Sequence, residues 1–412
     1  MLTHAIDSIC RSEGPRVLAG LIRRFGEFEL AEDALQDAFA KALALWPGQG
    51  LPDAPAAWLT TVARRRAVDL LRRRASGPVY TDEPPDLAAP EPDDETDPAL
   101  HSGLDDDRLR LVFTCCHPAI AQPAQMALAL RTLCGLSTRE IARAFLEPEA
   151  TTAQRLVRVQ RKILDARIPY EVPARALLPE RLQAVLGVVY LVFNEGYAST
   201  EHDGLVRPDL CAEAIRLGRL LVELMPDEPE VRGLLALMLL HDARRPARVD
   251  DDGALVPLEA QDRSRWQRPA IAEGLRELDG ALAARRRGPY QLQAAIAALH
   301  ARAARAEDTD WPQIAALYGG LLQEQPSAVV ELNAAVALAM AEGPELGLAW
   351  IDRLAETDAL RGYHLLPAAR ADLLRRLGRR HEAGLAYAAA LALVRSPAER
   401  RHLERRLAEC QG

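Results

Sequence analysis

The stretch AWLTTVARRRAVDLLRRR, residues 57–74, reads as one amphipathic helix, and LSTREIARAFLEPEATTAQRLVRVQRKIL, residues 136–164, reads as helix, turn, helix. In the first, Trp58, Leu59, Val62, Ala63, Ala67, Leu70 and Leu71 recur with helical period and leave Arg64, Arg65, Asp69, Arg72 and Arg73 on the complementary face. Six arginines fall within residues 64–74. A basic face is also what a merely solvated helix shows, so its meaning depends on its surroundings. In the second stretch Ser137 stands three residues before Glu140, the spacing of a capping box. Ile141, Ala142 and Phe145 face inward, Glu147, Pro148 and Glu149 break the helix, and Thr151 or Thr152 is placed to cap the next one. That helix is read with Leu156, Val157, Ile163 and Leu164 inward and Gln154, Arg155, Arg158, Arg161 and Lys162 outward. Arginines near its start suit a recognition helix in the major groove, where phosphate contacts give affinity and bidentate contacts to guanine discriminate bases.

Between the two stretches, residues 81–107 hold eleven Asp or Glu and no Lys or Arg. The formal net charge of −8 therefore conceals two basic modules: residues 1–80 carry eleven basic and nine acidic side chains, and residues 108–170 carry ten and four. Attraction to phosphate is screened over roughly 8–10 Å in physiological salt, so these local balances decide more than the total. Nucleic-acid affinity is expected in the N-terminal part. The acidic strip equally fits a solvated tether.

Upstream, RVLAGLIRRFG places Val17, Leu18, Leu21, Ile22 and Phe25 at helical spacing with Gly26 as a stop. A second helix from Glu29 to Leu45 turns Leu30, Ala34, Leu35, Ala38, Phe39 and Ala42 inward and Glu32, Asp33, Gln36, Asp37 and Lys41 outward. WPGQGLPDAP then reads as a turn. With 412 residues, 49% hydrophobic and 5% aromatic, the chain is expected to be all-α and to form two to four domains. Six dispersed cysteines exclude a disulfide framework, and neither an apolar span nor a secretory leader is visible, which points to the cytoplasm and away from membranes.

An acidic-faced helix, AWLTTVARRRAVDLLRRR, an acidic linker and a helix-turn-helix, in that order, resemble the extracytoplasmic-function sigma factors of bacterial RNA polymerase over about residues 1–165. The resemblance implies that AEDALQDAFAKAL docks on core RNA polymerase, with Glu32, Asp33, Gln36 and Asp37 as the partner-binding set. It implies that Trp58, Arg64, Arg65, Asp69, Arg72 and Arg73 read and help melt the minus-10 element of promoter DNA. Thr152, Gln154, Arg155, Arg158, Arg161 and Lys162 would read the minus-35 element. Promoter opening needs a cationic surface and a place for an unstacked base, not catalysis, so no enzyme activity, cofactor or metal is expected.

About 240 further residues, with LVFNEGYAST, LLALMLLHDARRPAR, DRSRW and GPYQLQAAIAALHA, resemble the subgroup of these factors that carries a tetratricopeptide-like C-terminal domain. Periodicity gives independent support. SAVVELNAAVALAMAEG with GLAWIDRL, and Leu360–Leu377 with HEAGLAYAAALAL, form helix pairs offset by about 35 residues, near the repeat length of 34. Ala334, Ala335, Ala337, Ala369 and Ala371 would allow close helix approach, and residues 244–288 interrupt the period. The expected organisation is thus a polymerase-docking and minus-10 domain at 1–78, an acidic linker at 79–107, a helix-turn-helix domain at 108–168 and a repeat domain at 169–412. The repeat domain is expected to control activity by contacting the sigma modules or polymerase. Its contact candidates are Asn194, Glu195, Tyr197, Arg263, Trp266, Tyr290 and Gln291, each equally readable as buried hydrogen bonding that holds an irregular stack.

Cys115, Cys116, His117 and Cys134 match no zinc spacing well, and buried thiols are the favoured reading. The competing functions are a helix-turn-helix regulator that needs no polymerase and a repeat-based scaffold. The helix at Glu29–Leu45 discriminates, because a plain repressor has no use for it.

Overall fold

A computed structural model describes residues 2–76, 104–133, 135–145, 147–174, 176–197 and 208–411. Among them are eighteen α-helices and no strand beyond one isolated bridge, Val249 to Leu255. The chain divides into two compact units, Met1–Val188 and Val189–Gly412.

In the first unit, α1 (Leu2–Phe25), α2 (Phe28–Gln49) and α3 (Pro55–Ser76) pack on one another. Their core is Val17, Leu18, Leu21 and Ile22 against Leu30, Ala34, Leu35, Ala38 and Ala42, closed by Leu59, Val62, Ala63 and Ala67. Gly26 ends α1 at φ +73°, where a β-carbon would be strained. Two boundaries differ from the sequence reading. The first helix starts at Leu2 and runs through Pro15, and α2 continues past Leu45 through Pro47 until Gly50, at φ +87°. Trp46 is buried, and its packing holds the extra turn that the one proline and two glycines of WPGQG disfavour.

Four more helices complete this unit with the first half of α8: α4 (Leu104–Cys115), α5 (Gln122–Thr132), α6 (Thr138–Ala144) and α7 (Glu149–Asp165). Helix α4 begins at Leu104, inside the segment read as linker to residue 107, and Asp107 is fully buried between Arg110 at 2.6 Å and Arg23 at 3.3 Å. Its carboxylate belongs to the fold of this unit rather than to a solvated strip. The rest of the strip, residues 79–103, lies outside the described residues, as does Cys134. Tyr170 donates to the Ala19 or Asp107 carbonyl, at 3.0 and 2.9 Å, joining α1 to α4. Cys115 and Cys116 are fully buried; burial pushes the Cys115 thiol up to about 12 and the Cys116 thiol well above its ordinary value.

The second unit takes the rest of α8 (Leu178–Tyr197), then α9 (Pro208–Leu224), α10 (Pro229–Asp242), α11 (Arg268–Ala283), α12 (Pro289–Arg302), α13 (Trp311–Glu324), α14 (Ala328–Glu342), α15 (Pro344–Ala355), α16 (Leu365–Arg376), α17 (Arg380–Leu393) and α18 (Pro397–Gln411). From α9 onward most helices pack on their neighbours in the chain, as stacked pairs do. Close approach follows from small side chains. A β-carbon on Gly347 would sit 2.6 Å from the Ala335 carbonyl oxygen and 2.4 Å from the Ala339 β-carbon. The segment read as an interruption, 244–288, contains a full helix, α11, packed on α10 through Ile271 and Leu278, besides short 3-10 turns.

Candidate functional site

The acidic face of α2 is half engaged. Asp33 and Gln36 are exposed and Asp33 makes no ion pair among the described residues, whereas Asp37 bonds Arg66 of α3. Glu32 lies between Arg131 of α5 at 3.3 Å and Gln160 of α7 at 3.4 Å. Arg66, which sequence reading left unassigned, thus braces α3 on α2, and Arg74 does the same with Glu27 at 2.8 Å. An acidic face next in sequence to an arginine-rich helix was the available signal for this bracing.

On α3 the basic face is present. Arg72 and Arg73 are exposed, Arg64 and Arg65 are half-buried, and Arg64 and Arg73 make no ion pair among the described residues. Asp69 is exposed and faces Arg72 at 3.9 Å. Trp58 is half-buried and stands edge-on to Trp46, ring centroids 5.2 Å apart. It anchors the start of α3 while keeping part of its ring accessible.

In the helix-turn-helix the capping box forms: the Ser137 amide donates to Glu140 Oε2 at 2.8 Å, and the Glu140 amide donates to Ser137 Oγ at 3.2 Å. The next helix differs from the sequence reading in rotation. Its buried side chains are Thr152, Leu156, Val159 and Ile163, while Val157 and Leu164 are 63% and 49% exposed. Thr152 neither caps the helix, whose first residue is Glu149, nor reaches the surface; its hydroxyl donates to Glu147. It is therefore withdrawn from the minus-35 set. Glu147 also clamps Arg155 through two bonds, 2.7 and 2.6 Å, and the guanidinium lies over the Phe145 ring at 5.5 Å, so Arg155 fastens the turn. Gln154, Arg158, Arg161 and Lys162 remain exposed along one side; Arg158 and Lys162 make no ion pair among the described residues, and Arg161 is 3.7 Å from Asp165.

The second-unit candidates separate. Arg263, Trp266 and Gln291 are buried. Gln291 donates to Glu230 Oε1 at 3.0 Å and to the Arg286 carbonyl at 2.9 Å, and Tyr290 stands edge-on to Tyr190. Gln291 thus ties α12 to α10 and Tyr290 packs on α8, which is the buried-bonding alternative of the sequence reading for both. Trp266 packs in the core of α10, α11 and α12. Tyr197 is half-buried under the Arg248 guanidinium, 3.7 Å from ring centre; Asn194 and Glu195 are half-buried on α8.

A three-helix module with an acidic face on its second helix and a basic face on its third defines the class: residues 9–77 match sigma-70 region 2, so a role in transcription initiation and binding to core RNA polymerase follow. Residues 181–282 match a family of unknown function, DUF6596. An uncharacterized protein of Rhizobium meliloti (strain 1021) is 46% identical over 410 residues, covering 98% of this chain and 96% of that protein. The chain belongs to the family of that protein, with a sigma-70 region 2 at its N-terminus and the domain of unknown function in its C-terminal part. No solved structure matches it. Among the described residues no helix is long and apolar enough to cross a membrane.

Proposed function

We propose that this chain is a sigma factor of the extracytoplasmic-function type in which α3 reads the minus-10 element, α7 reads the minus-35 element, and a tetratricopeptide-like array beyond α8 controls their use. The observation that carries the reading is a sigma-70 region 2 followed in the same compact unit by a capped helix-turn-helix whose second helix exposes Arg158, Arg161 and Lys162. Two cationic helices on one short chain suit two promoter elements. Asp33 and Gln36 are the accessible part of the polymerase-docking face. Glu32 joins them only when its bonds to Arg131 and Gln160 are exchanged for bonds to polymerase. Arg64, Arg65, Arg72 and Arg73 track the displaced strand, and Trp58 offers an aromatic edge to an unstacked base.

Pull-down of purified core polymerase tests the docking assignment. Wild-type protein is retained, and Asp33→Arg lowers retention at least severalfold while leaving binding to duplex DNA by α7 unchanged. Retention of the variant at the wild-type level removes Asp33 from the interface.

A further inference from the structure

Three arginines in the second unit are buried without a carboxylate partner. Arg244, Arg248 and Arg263 are 9%, 9% and 8% exposed, and none makes an ion pair among the described residues. Arg263 donates to the carbonyls of His300 and Ala303, both at 2.6 Å, with its guanidinium 4.8 Å from the Trp266 ring centre. Arg248 bonds the Tyr197 carbonyl, Arg244 reaches the Tyr197 hydroxyl at 3.4 Å, and Arg244 Nε has no hydrogen-bond partner. His241 and His300 beside them are held neutral, His300 pushed down to about 4, by burial and by these same guanidinium charges. Asp308 attracts Arg263 and Glu399 attracts Arg248 without either forming an ion pair among the described residues, and burial still disfavours both charges; carbonyls and an aromatic face offset part of that cost.

Arg263 and His300 line a cavity of about 610 Å³ lying wholly within this unit, a volume inside the range of roughly 300–1,000 Å³ typical of small-molecule sites. Trp311, Met340, Leu365, Ala369 and Leu403 give it apolar walls. Three of its carboxylates are paired with arginines, Glu259 and Asp372 with Arg376 and Glu307 with Arg305, and the fourth, Glu399, lies 3.3 Å from His364 Nε2. The buried arginine of the lining that makes no ion pair among the described residues is Arg263, whose charge burial and Arg244 disfavour and Asp308 favours.

We infer that this cavity binds a small amphiphilic organic anion, its apolar body between α14, α16 and α18 and its carboxylate or phosphate head at Arg263 and His300. The apolar walls account for the body and the unpaired guanidinium for the head. The site stands independently of the sigma reading, since none of its residues belongs to the promoter-reading unit.

Displacement of 1-anilinonaphthalene-8-sulfonate from the full-length protein tests it. One probe molecule binds per chain, decanoate or decyl phosphate displaces it, and decanol or decyltrimethylammonium does so about tenfold or more weakly, as expected when a charged hydrogen bond is lost. The tighter of the two anions names the head group. Ala369→Trp, which fills the cavity, abolishes probe binding at an unchanged thermal midpoint. Arg263→Gln weakens decanoate about tenfold but leaves decanol unchanged, a split that a general loss of packing would not give. Equal displacement by anion, alcohol and ammonium overturns the inference, as does undiminished probe binding in a folded Ala369→Trp protein.

Discussion

Asp33 and Asp37 sit one turn apart on α2, yet Asp37 is tied to Arg66 while Asp33 faces solvent. Reversing each to Arg therefore separates docking from stability. Asp33→Arg should leave urea stability within about 0.5 kcal/mol, whereas Asp37→Arg should cost about 1 kcal/mol by replacing a partly exposed ion pair with like charges. The histidines set a pH dependence for the second unit. His241 and His300 have folded-state values below the ordinary 6.5, so the stability they confer is full above 6.5 and is lost as pH falls, toward about 4 for His300. Unfolding free energy followed in urea from pH 7 to pH 5 should fall, by up to about 1.4 kcal/mol per pH unit for each histidine that stays neutral. His300→Phe should flatten the slope. At this scale the sequence was only partly legible. The Ser137 and Glu140 cap could be read because it is local, whereas the fate of Thr152, Arg66 and Arg155 depends on partners that spacing alone does not rank.

Helix α7 shows what periodicity does and does not determine. LVRVQRKIL offers two overlapping apolar sets, and both satisfy an inward stripe until a packing partner chooses. Contact with α5 and α6 selects Leu156, Val159 and Ile163, rotating Val157 and Leu164 outward. Leu156→Ala or Ile163→Ala should then cost about 2–4 kcal/mol in urea unfolding, against under about 0.5 kcal/mol for Val157→Ala or Leu164→Ala. The same rotation leaves Arg158 and Lys162 exposed, as the proposed contact with DNA requires. Replacing either by Ala should reduce the slope of log affinity against log salt by about one phosphate contact and weaken all sequences alike. A proline misled the C-terminal boundary of α2, because tertiary packing at Trp46 outweighs a local stop signal.

At the scale of the molecule, the helical architecture of the described residues and two basic modules were readable from composition, periodicity and local charge. The cavity was not. Its walls come from residues spread between Leu255 and Arg406, and Arg263, its buried arginine without an ion pair among the described residues, lies in a segment whose sequence reads as an interruption. Ending the chain after Val188 removes the second unit while keeping the Arg181 bond to the Phe113 carbonyl that anchors the first half of α8. If that unit controls the sigma modules, transcription by the shortened chain should differ from wild type in amount or in its response to signal; identical behaviour would leave the second unit without a role in initiation. The most direct test of the sigma reading is run-off transcription by full-length protein with purified core polymerase on a genomic promoter library. The reading predicts discrete transcripts from promoters sharing a minus-35 and a minus-10 element, lost when Arg158 and Lys162 are both Ala. Duplex binding with no initiation at any promoter would contradict it and leave a helix-turn-helix regulator in its place.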